Sequence, residues 1–309
     1  MPALTVLVVG DSTASYLKPL AALGEGARVI VTADREKLKQ LAPEADVLLN
    51  GDFRDPTLFL DTFREATRIR WVHSPGAGVE KVLSPEIVQS TAPLTNGRGV
   101  FARPLGEWIV AAMLYFTYDL RRVLKDQDAR RWAPFEHDEL YGRTLAIVGY
   151  GAIGKAAAER AQAFGMKVLT IRRGEAGKIG SVLAQCDFLA VTAPLTPETR
   201  GMIGAGEIAV MKPSAVIINV GRGPVIDEAA LLAALQSKSI RGAALDVYAV
   251  EPLRPDHPFY SLDNVLLSPH TADALPNSRE LAIQFFVENF ERFRKGEPLQ
   301  NIVDKHAGY

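Results

Sequence analysis

Short apolar, β-branched runs recur along the chain: "LTVLVVGD", "ADVLLNG", "RIRWVHSP", "TLAIVGYG", "FLAVTAP", "AVIINVGRG" and "AALDVYAVEP". Within each run apolar residues follow one another instead of alternating with polar ones. That is the pattern of strands covered on both faces, and such strands form parallel sheets. Between them lie Ala/Leu/Lys/Glu-rich stretches of helical pattern, so the fold class read from the chain is α/β, in two successive blocks that meet near residue 100. The stretch "ARPLGEWIVAAMLYFTYDLRRVL" (residues 102–124) predicts one long helix. From Pro104, apart from Glu107, Thr117 and Asp119, it is apolar all round until Arg121, as a helix buried on more than one side at an interface must be. "NSRELAIQFFVENFERFRKG" (residues 277–296) predicts a last helix that returns to the first block. The expected domains are residues 1–100 with 275–309, and residues 101–274.

Composition narrows the class without naming a chemistry. At 309 residues, 48% hydrophobic and 23% charged, the chain suits a soluble globular protein of two domains. A net charge of −1 gives no sign of nucleic-acid binding. The lone cysteine, Cys186, cannot form an intrachain disulfide, and "MPALTVLVVGDS" lacks the basic flank and long apolar core of a signal peptide. The most apolar stretch, "WIVAAMLYF", falls far short of the ~20 residues of a membrane span. A cytoplasmic protein is expected, with no membrane or nucleic-acid partner and no metal site.

Candidate chemistry begins at "VGYGAIGKAAAERAQAFGMKVLTIRRGE" (residues 148–175). Gly149, Gly151 and Gly154 have G-x-G-x-x-G spacing between a strand and a strong helix former, with Ala152 and Ile153 opening the helix. Such a turn lets a dinucleotide pyrophosphate approach the backbone at a helix N-terminus. The second strand, "KVLTI", should end in an acid about 20 residues past the glycines, to accept the ribose hydroxyls. Arg172 and Arg173 stand there instead, which suits the 2′-phosphate of NADP(H) over NAD(H). If the strand ended three residues later, Glu175 would take the acid's place and NAD would be preferred.

Three further stretches each come after a strand-like run: residues 219–235, 244–252 and 266–273. Open parallel sheets place ligands at the carboxyl ends of their strands, so Arg222, Asp246, Glu251 and His270 can converge there. Together they can grip a carboxylate and move a proton. The glycines flanking Arg222 leave room for a ligand, and Pro269 stiffens the loop of His270. His73, His137, His257 and His306 lack such settings and are assigned no catalytic role.

The series "VGYGAIG", "APLTPETRGMI", "INVGRGPVIDEAALLAAL", "ALDVYAVEPL" and "NVLLSPHTA" resembles, in order and spacing, the motifs of the D-isomer-specific 2-hydroxyacid dehydrogenases. The resemblance covers residues ~70–275. It implies two Rossmann-like, doubly wound parallel-sheet domains, the first completed by the C-terminal helix, with the active site in the cleft between them and a homodimer built around the long helix. It places the catalytic arginine on Arg222, the acid on Glu251 and the acid/base histidine on His270. It also places Asp246 near the nicotinamide carboxamide, and Pro194, Thr199 and Val220 around the cofactor. "HSPGAGVEKV" resembles the family's substrate loop, with Gly76, Ala77 and Gly78 offering N–H groups to a carboxylate. Two departures stand out: Thr192 replaces a frequent histidine, and Asp273 stands where glycine is common. The implied activity is reduction of a short 2-keto acid, such as glyoxylate or hydroxypyruvate, to the D-2-hydroxy acid with NADPH preferred and NAD possible. The formate branch is disfavoured because it has glutamine at the position of Glu251. A non-catalytic, dinucleotide-sensing protein of the same fold, like the corepressor relatives, is the alternative.

Overall fold

The computed structural model describes residues 3–53 and 55–309. In chain order the elements are β1 (Leu4–Val9), β2 (Ala27–Thr32), α1 (Arg35–Leu41), β3 (Val47–Asn50), α2 (Thr57–Glu65), β4 (Trp71–Ser74), α3 (Pro85–Gln89), β5 (Leu94–Asn96) and α4 (Ala102–Thr117). Next come α5 (Leu120–Asp128), β6 (Thr144–Val148), α6 (Ala152–Ala163), β7 (Lys167–Ile171), α7 (Ile179–Leu183), β8 (Phe188–Val191) and α8 (Ala205–Ala209). The chain ends with β9 (Val216–Asn219), α9 (Glu228–Gln236), β10 (Gly242–Leu245), β11 (Val265–Leu267) and α10 (Ser278–Lys295). It divides into two compact units, Met1–Phe101 with Leu275–Tyr309, and Ala102–Ala274. Each of the seven apolar, β-branched runs contains a strand.

In the first unit the strands order as β2-β1-β3-β4-β5, all parallel. One face is covered by α10, whose Ile283, Phe286 and Phe290 are fully buried with Trp71, Val6 and Val8. Trp71 and Phe286 stack at 5.0 Å. The other face buries Leu7, Leu48, Phe59 and Leu94.

The second unit is a six-stranded parallel sheet ordered β11-β10-β9-β8-β6-β7. Strands β6, β8, β9 and β10 are buried almost throughout, which explains their unbroken apolar sequence. The strand order reverses between β6 and β8, where loops leaving adjacent strands part to opposite sides and open a crevice at their carboxyl ends.

The long helix expected over residues 102–124 is instead two. Helix α4 ends at Thr117, and Asp119 takes a left-handed conformation (φ 46°) before α5 begins. The side chains of Ile109, Ala112, Met113 and Phe116 are buried in α4, whereas α5 buries none. Helix α4 lies close to α6: a Cβ on Gly106 would stand 3.1 Å from Ala156. No helix among the described residues is long and apolar enough to cross a membrane.

Candidate active site

All six strands of the second unit run the same way, so the segments leaving their carboxyl ends share one edge of the sheet. On that edge lie the glycine loop after β6, Arg172 after β7, residues 192–199 after β8, Val220 and Arg222 after β9, Asp246 and Glu251 after β10, and His270 after β11.

The three glycines have different reasons to be glycine. Gly149 has φ 92°, and a Cβ there would sit 2.6 Å from Ala193 in the loop after β8. A Cβ on Gly154 would meet the Gly149 carbonyl oxygen at 2.6 Å, so it lets α6 pack close on its own loop. Gly151, the N-cap of α6, has nothing within 4 Å of a Cβ position. The first and third answer to the protein's own backbone, and the second leaves open space at a helix N-terminus. This cradle fits a dinucleotide pyrophosphate, with Ala152 and Ile153 in the first turn of α6. Thr192, the departure from the family's histidine, donates its hydroxyl to the Gly149 carbonyl and so ties β8 to the glycine loop.

Strand β7 ends at Ile171, immediately before Arg172. The Arg172 guanidinium lies over the Tyr150 ring, 4.9 Å from its centre, and both Arg172 and Arg173 are exposed. Glu175 sits beyond the strand in a turn, where its Oε2 accepts the Arg172 N–H at 3.0 Å and its Oε1 pairs with Lys178 at 2.9 Å. Lys178 and that N–H hold the Glu175 carboxyl below the usual carboxylate range. In the loop after β8, Thr199 Oγ1 donates to the Pro194 carbonyl at 2.7 Å and accepts the Thr196 N–H at 2.8 Å. Val220 is buried at the end of β9.

His270 Nδ1 lies 2.7 Å from Glu251 Oε2, and Glu251 Oε1 accepts the Tyr248 N–H at 3.0 Å. With a carboxylate at Nδ1, that nitrogen carries the hydrogen, and Nε2 is left as the atom that takes or gives a proton. His270 itself has φ 53°, a left-handed conformation that costs a non-glycine residue about 1–3 kcal/mol. Asp246 offsets that cost. Its buried carboxylate accepts the N–H groups of Thr271 at 2.8 Å and Ala272 at 3.2 Å, and the Ser268 hydroxyl. Tyr248 adds a second tie, donating its hydroxyl to the carbonyls of Leu245 and Ser268. Burial pushes the Tyr248 phenol up to about 12, so it stays a donor.

Arg222 is half-buried, with its Nη1 donating to the Gly221 carbonyl at 2.8 Å. The flanking glycines are there for backbone and not for a ligand: a Cβ on Gly221 would meet the Ala193 carbonyl at 2.7 Å, and one on Gly223 the Tyr248 carbonyl group at 2.0 Å. The room expected there for a ligand is taken up by the backbone of the neighbouring loops. Gly223 brings the Arg222 turn against the loop that carries Glu251.

Three supporting residues, Asn219, Glu228 and Tyr248, were not marked out from the sequence. Asn219 braces the Arg222 turn from both sides, accepting the Gly221 N–H at 3.0 Å and donating to the Arg222 carbonyl at 3.1 Å. An asparagine two residues before a glycine is a recognisable turn signal that would have found it. Glu228 accepts the Ala249 N–H at 3.1 Å and lies 3.3 Å from His257 Nε2, steadying the Glu251 loop from α9. Tyr248 carries no comparable sequence signal. The anchoring by Asp246 was likewise not legible, since the resemblance directs that residue to the nicotinamide.

In the first unit, Gly76, Ala77 and Gly78 come directly after β4 and Pro75. The Gly76 carbonyl accepts the Gly97 N–H at 3.1 Å and the Ala77 carbonyl accepts Asn96 Nδ2 at 2.6 Å. Because a trans peptide directs its C=O and N–H oppositely, the N–H groups of Ala77 and Gly78 point away from those partners.

A profile described as "D-isomer specific 2-hydroxyacid dehydrogenase, NAD binding domain" matches residues 110–272. A glyoxylate reductase of Korarchaeum cryptofilum is 34% identical over 267 residues, 80% of each chain. One from Pyrococcus furiosus is 33% identical over 296 residues, covering 88% of this chain and 86% of its own. Among solved structures, an NADPH-dependent glyoxylate/hydroxypyruvate reductase from Sinorhizobium meliloti, in complex with NADP and sulfate, matches with a TM-score of 0.85 at 29% identity, over 99% of this chain and 100% of its own. A probable 2-hydroxyacid dehydrogenase from Rhizobium etli, in complex with NADP, HEPES and L(+)-tartaric acid, matches with a TM-score of 0.85 at 25% identity over all of both chains. With the glycine cradle and the Glu251–His270 pair on one sheet edge, the chain belongs to the D-isomer specific 2-hydroxyacid dehydrogenase family of NAD(P)-dependent oxidoreductases.

Proposed function

We propose that this protein reduces a short 2-keto acid, of the glyoxylate or hydroxypyruvate kind, to the D-2-hydroxy acid, with NADPH preferred over NADH. The observation that carries the reading is the 2.7 Å contact between His270 and Glu251 on the same sheet edge as Arg222. A bound reduced nicotinamide supplies the hydride. Arg222 presents a planar, permanently charged fork that holds a substrate carboxylate and polarises the C2 oxygen. His270 gives its Nε2 proton to that oxygen as negative charge develops on it. Glu251 accepts from Nδ1, which fixes the ring and leaves Nε2 as the atom that delivers the proton. The Ala77 and Gly78 N–H groups suit a carboxylate, and residues 149–154 with Pro194, Thr199 and Val220 suit the cofactor.

Preference for NADPH is supported by the residues at the carboxyl end of β7. No acid ends the strand, Glu175 is committed to Lys178 and the Arg172 N–H, and Arg172 is held over Tyr150. The NADP-bound relatives accord with this. The protein is further read as a cytoplasmic homodimer. A reductase screen with short 2-keto acids and both nicotinamide cofactors tests the proposal. Turnover with glyoxylate or hydroxypyruvate is expected, whereas intact cofactor binding without turnover of any acid would favour a dinucleotide sensor.

A further inference from the structure

Asp273 stands three residues beyond His270, where the family commonly has glycine. Its position is set by the same anchoring that holds His270. Asp246 fixes the N–H groups of Thr271 and Ala272, and the Ala274 N–H returns to the Thr271 carbonyl at 2.9 Å, closing a turn across Ala272 and Asp273. The Asp273 side chain is half-buried. Burial raises its carboxyl above the ordinary value, while the charges of His270 and Arg222 act in the opposite sense. A carboxylate thus stands in the turn that directly follows His270, close enough for its charge to act on those of His270 and Arg222, and the Asp246 carboxylate adds to its negative surroundings.

We infer that Asp273 is a specificity-determining residue that turns the site toward 2-keto acids with one negative charge and against those with a second carboxylate or a phosphate. The inference rests on the roles proposed for Arg222 and His270. Arg222 neutralises one substrate carboxylate, but a second anionic group adds repulsion from Asp273 without adding that attraction. Discrimination by a built-in like charge is a general route to specificity. A neutral C3 hydroxyl is compatible, since it can donate a hydrogen bond to a carboxylate. Two like charges separated by a few ångströms of partly solvated protein change affinity by about tenfold or more.

The test compares kcat/KM for glyoxylate and hydroxypyruvate with that for oxaloacetate and 3-phosphohydroxypyruvate, in the wild type, Asp273→Asn and Asp273→Glu. The inference expects Asp273→Asn to raise kcat/KM for the multiply charged acids about tenfold relative to the singly charged ones. Asp273→Glu, which keeps the charge, should retain the wild-type ratio. A ratio unchanged in Asp273→Asn, or all four acids rising or falling together, overturns it while leaving the reductase reading intact. A wild type that turns over none of the four removes the reductase reading, and this inference with it.

Discussion

At the scale of single residues, the site is a set of side chains whose polar atoms are mostly committed to one another. Asp246 spends its carboxylate on the His270 loop, Asn219 its carboxamide on the Arg222 turn, and Glu251 its carboxylate on the Tyr248 N–H and His270. Residue type together with a place after strand-like runs made Arg222, Asp246, Glu251 and His270 visible, and the family resemblance gave them their roles. Of their supports, Asn219 has a local turn signal, but a hydrogen bond from the Ala272 N–H to Asp246, many positions away in the chain, leaves no local pattern. Arg172 carries the cofactor prediction. Arg172→Asp should lower kcat/KM with NADPH by about ten- to a hundredfold, the loss of a charge-assisted bond to a phosphate, and raise the NADH-to-NADPH ratio. A specificity constant with NADH equal to or above that with NADPH in the wild type contradicts it. A second prediction concerns His73, which is buried with its Nδ1 2.7 Å from Thr95 Oγ1 and its Nε2 unpartnered. Thr95 Oγ1 also accepts the Trp71 Nε1–H at 2.8 Å. Burial pushes His73 down to about 3, below its unfolded value of about 6.5. Between those values the unfolded chain binds a proton that the folded chain does not. Stability should therefore fall as pH drops below about 6.5, by about 1.4 kcal/mol per pH unit. Urea unfolding across that range should show the slope, and His73→Gln should lose it.

At the scale of elements, strands were read well and helix ends poorly. Continuous apolar runs identified β1, β3, β4, β6, β8, β9 and β10, since burial on both faces leaves no room for polar residues. The shorter β5 (Leu94–Asn96) and the more exposed β2 (Ala27–Thr32) gave weaker signals. The break at Asp119 was missed because apolar character runs on through Tyr118 and Leu120, although those residues lie outside the core. A left-handed residue there re-aims the chain, and an aspartate tolerates that conformation without announcing it. The loops that carry the site depend on close backbone approach, most of all at Gly223. Gly223→Ala would set a Cβ against the Tyr248 backbone, which cannot rotate away as a side chain would. It should cost about 3 kcal/mol, the upper end for overpacking, and displace the Glu251 loop. Thermal unfolding and turnover measured together check this: both should fall, and a variant that kept wild-type values in both would show that the approach is looser than described.

At the scale of the whole molecule, the family was legible from motif order and the two parallel-sheet units from the continuous apolar runs. Assembly was argued from the apolar helix after residue 102, but α4 buries much of that surface within the chain. Among the exposed large apolar residues, five lie on and beside α5: Tyr118, Leu120, Val123 and Leu124 are 39–56% exposed, and Trp132 is 95% exposed. A two-fold interface would cover these residues on both copies at once. Sedimentation at micromolar concentration should give twice the 33.6 kDa chain mass, and Leu124→Glu should shift it toward monomer. A stable wild-type monomer would contradict the homodimer. The central claim is that Arg222, Glu251 and His270 reduce a 2-keto acid, with His270 supplying the proton. The measurement that tests it most directly is NADPH consumption with glyoxylate, alongside the NADPH dissociation constant, for the wild type and His270→Ala. The account predicts that kcat falls by about a hundredfold or more while the dissociation constant changes by less than about threefold, since the proton is needed in the transition state and not for cofactor binding. Turnover retained in His270→Ala, or equal losses in turnover and cofactor affinity, would contradict it.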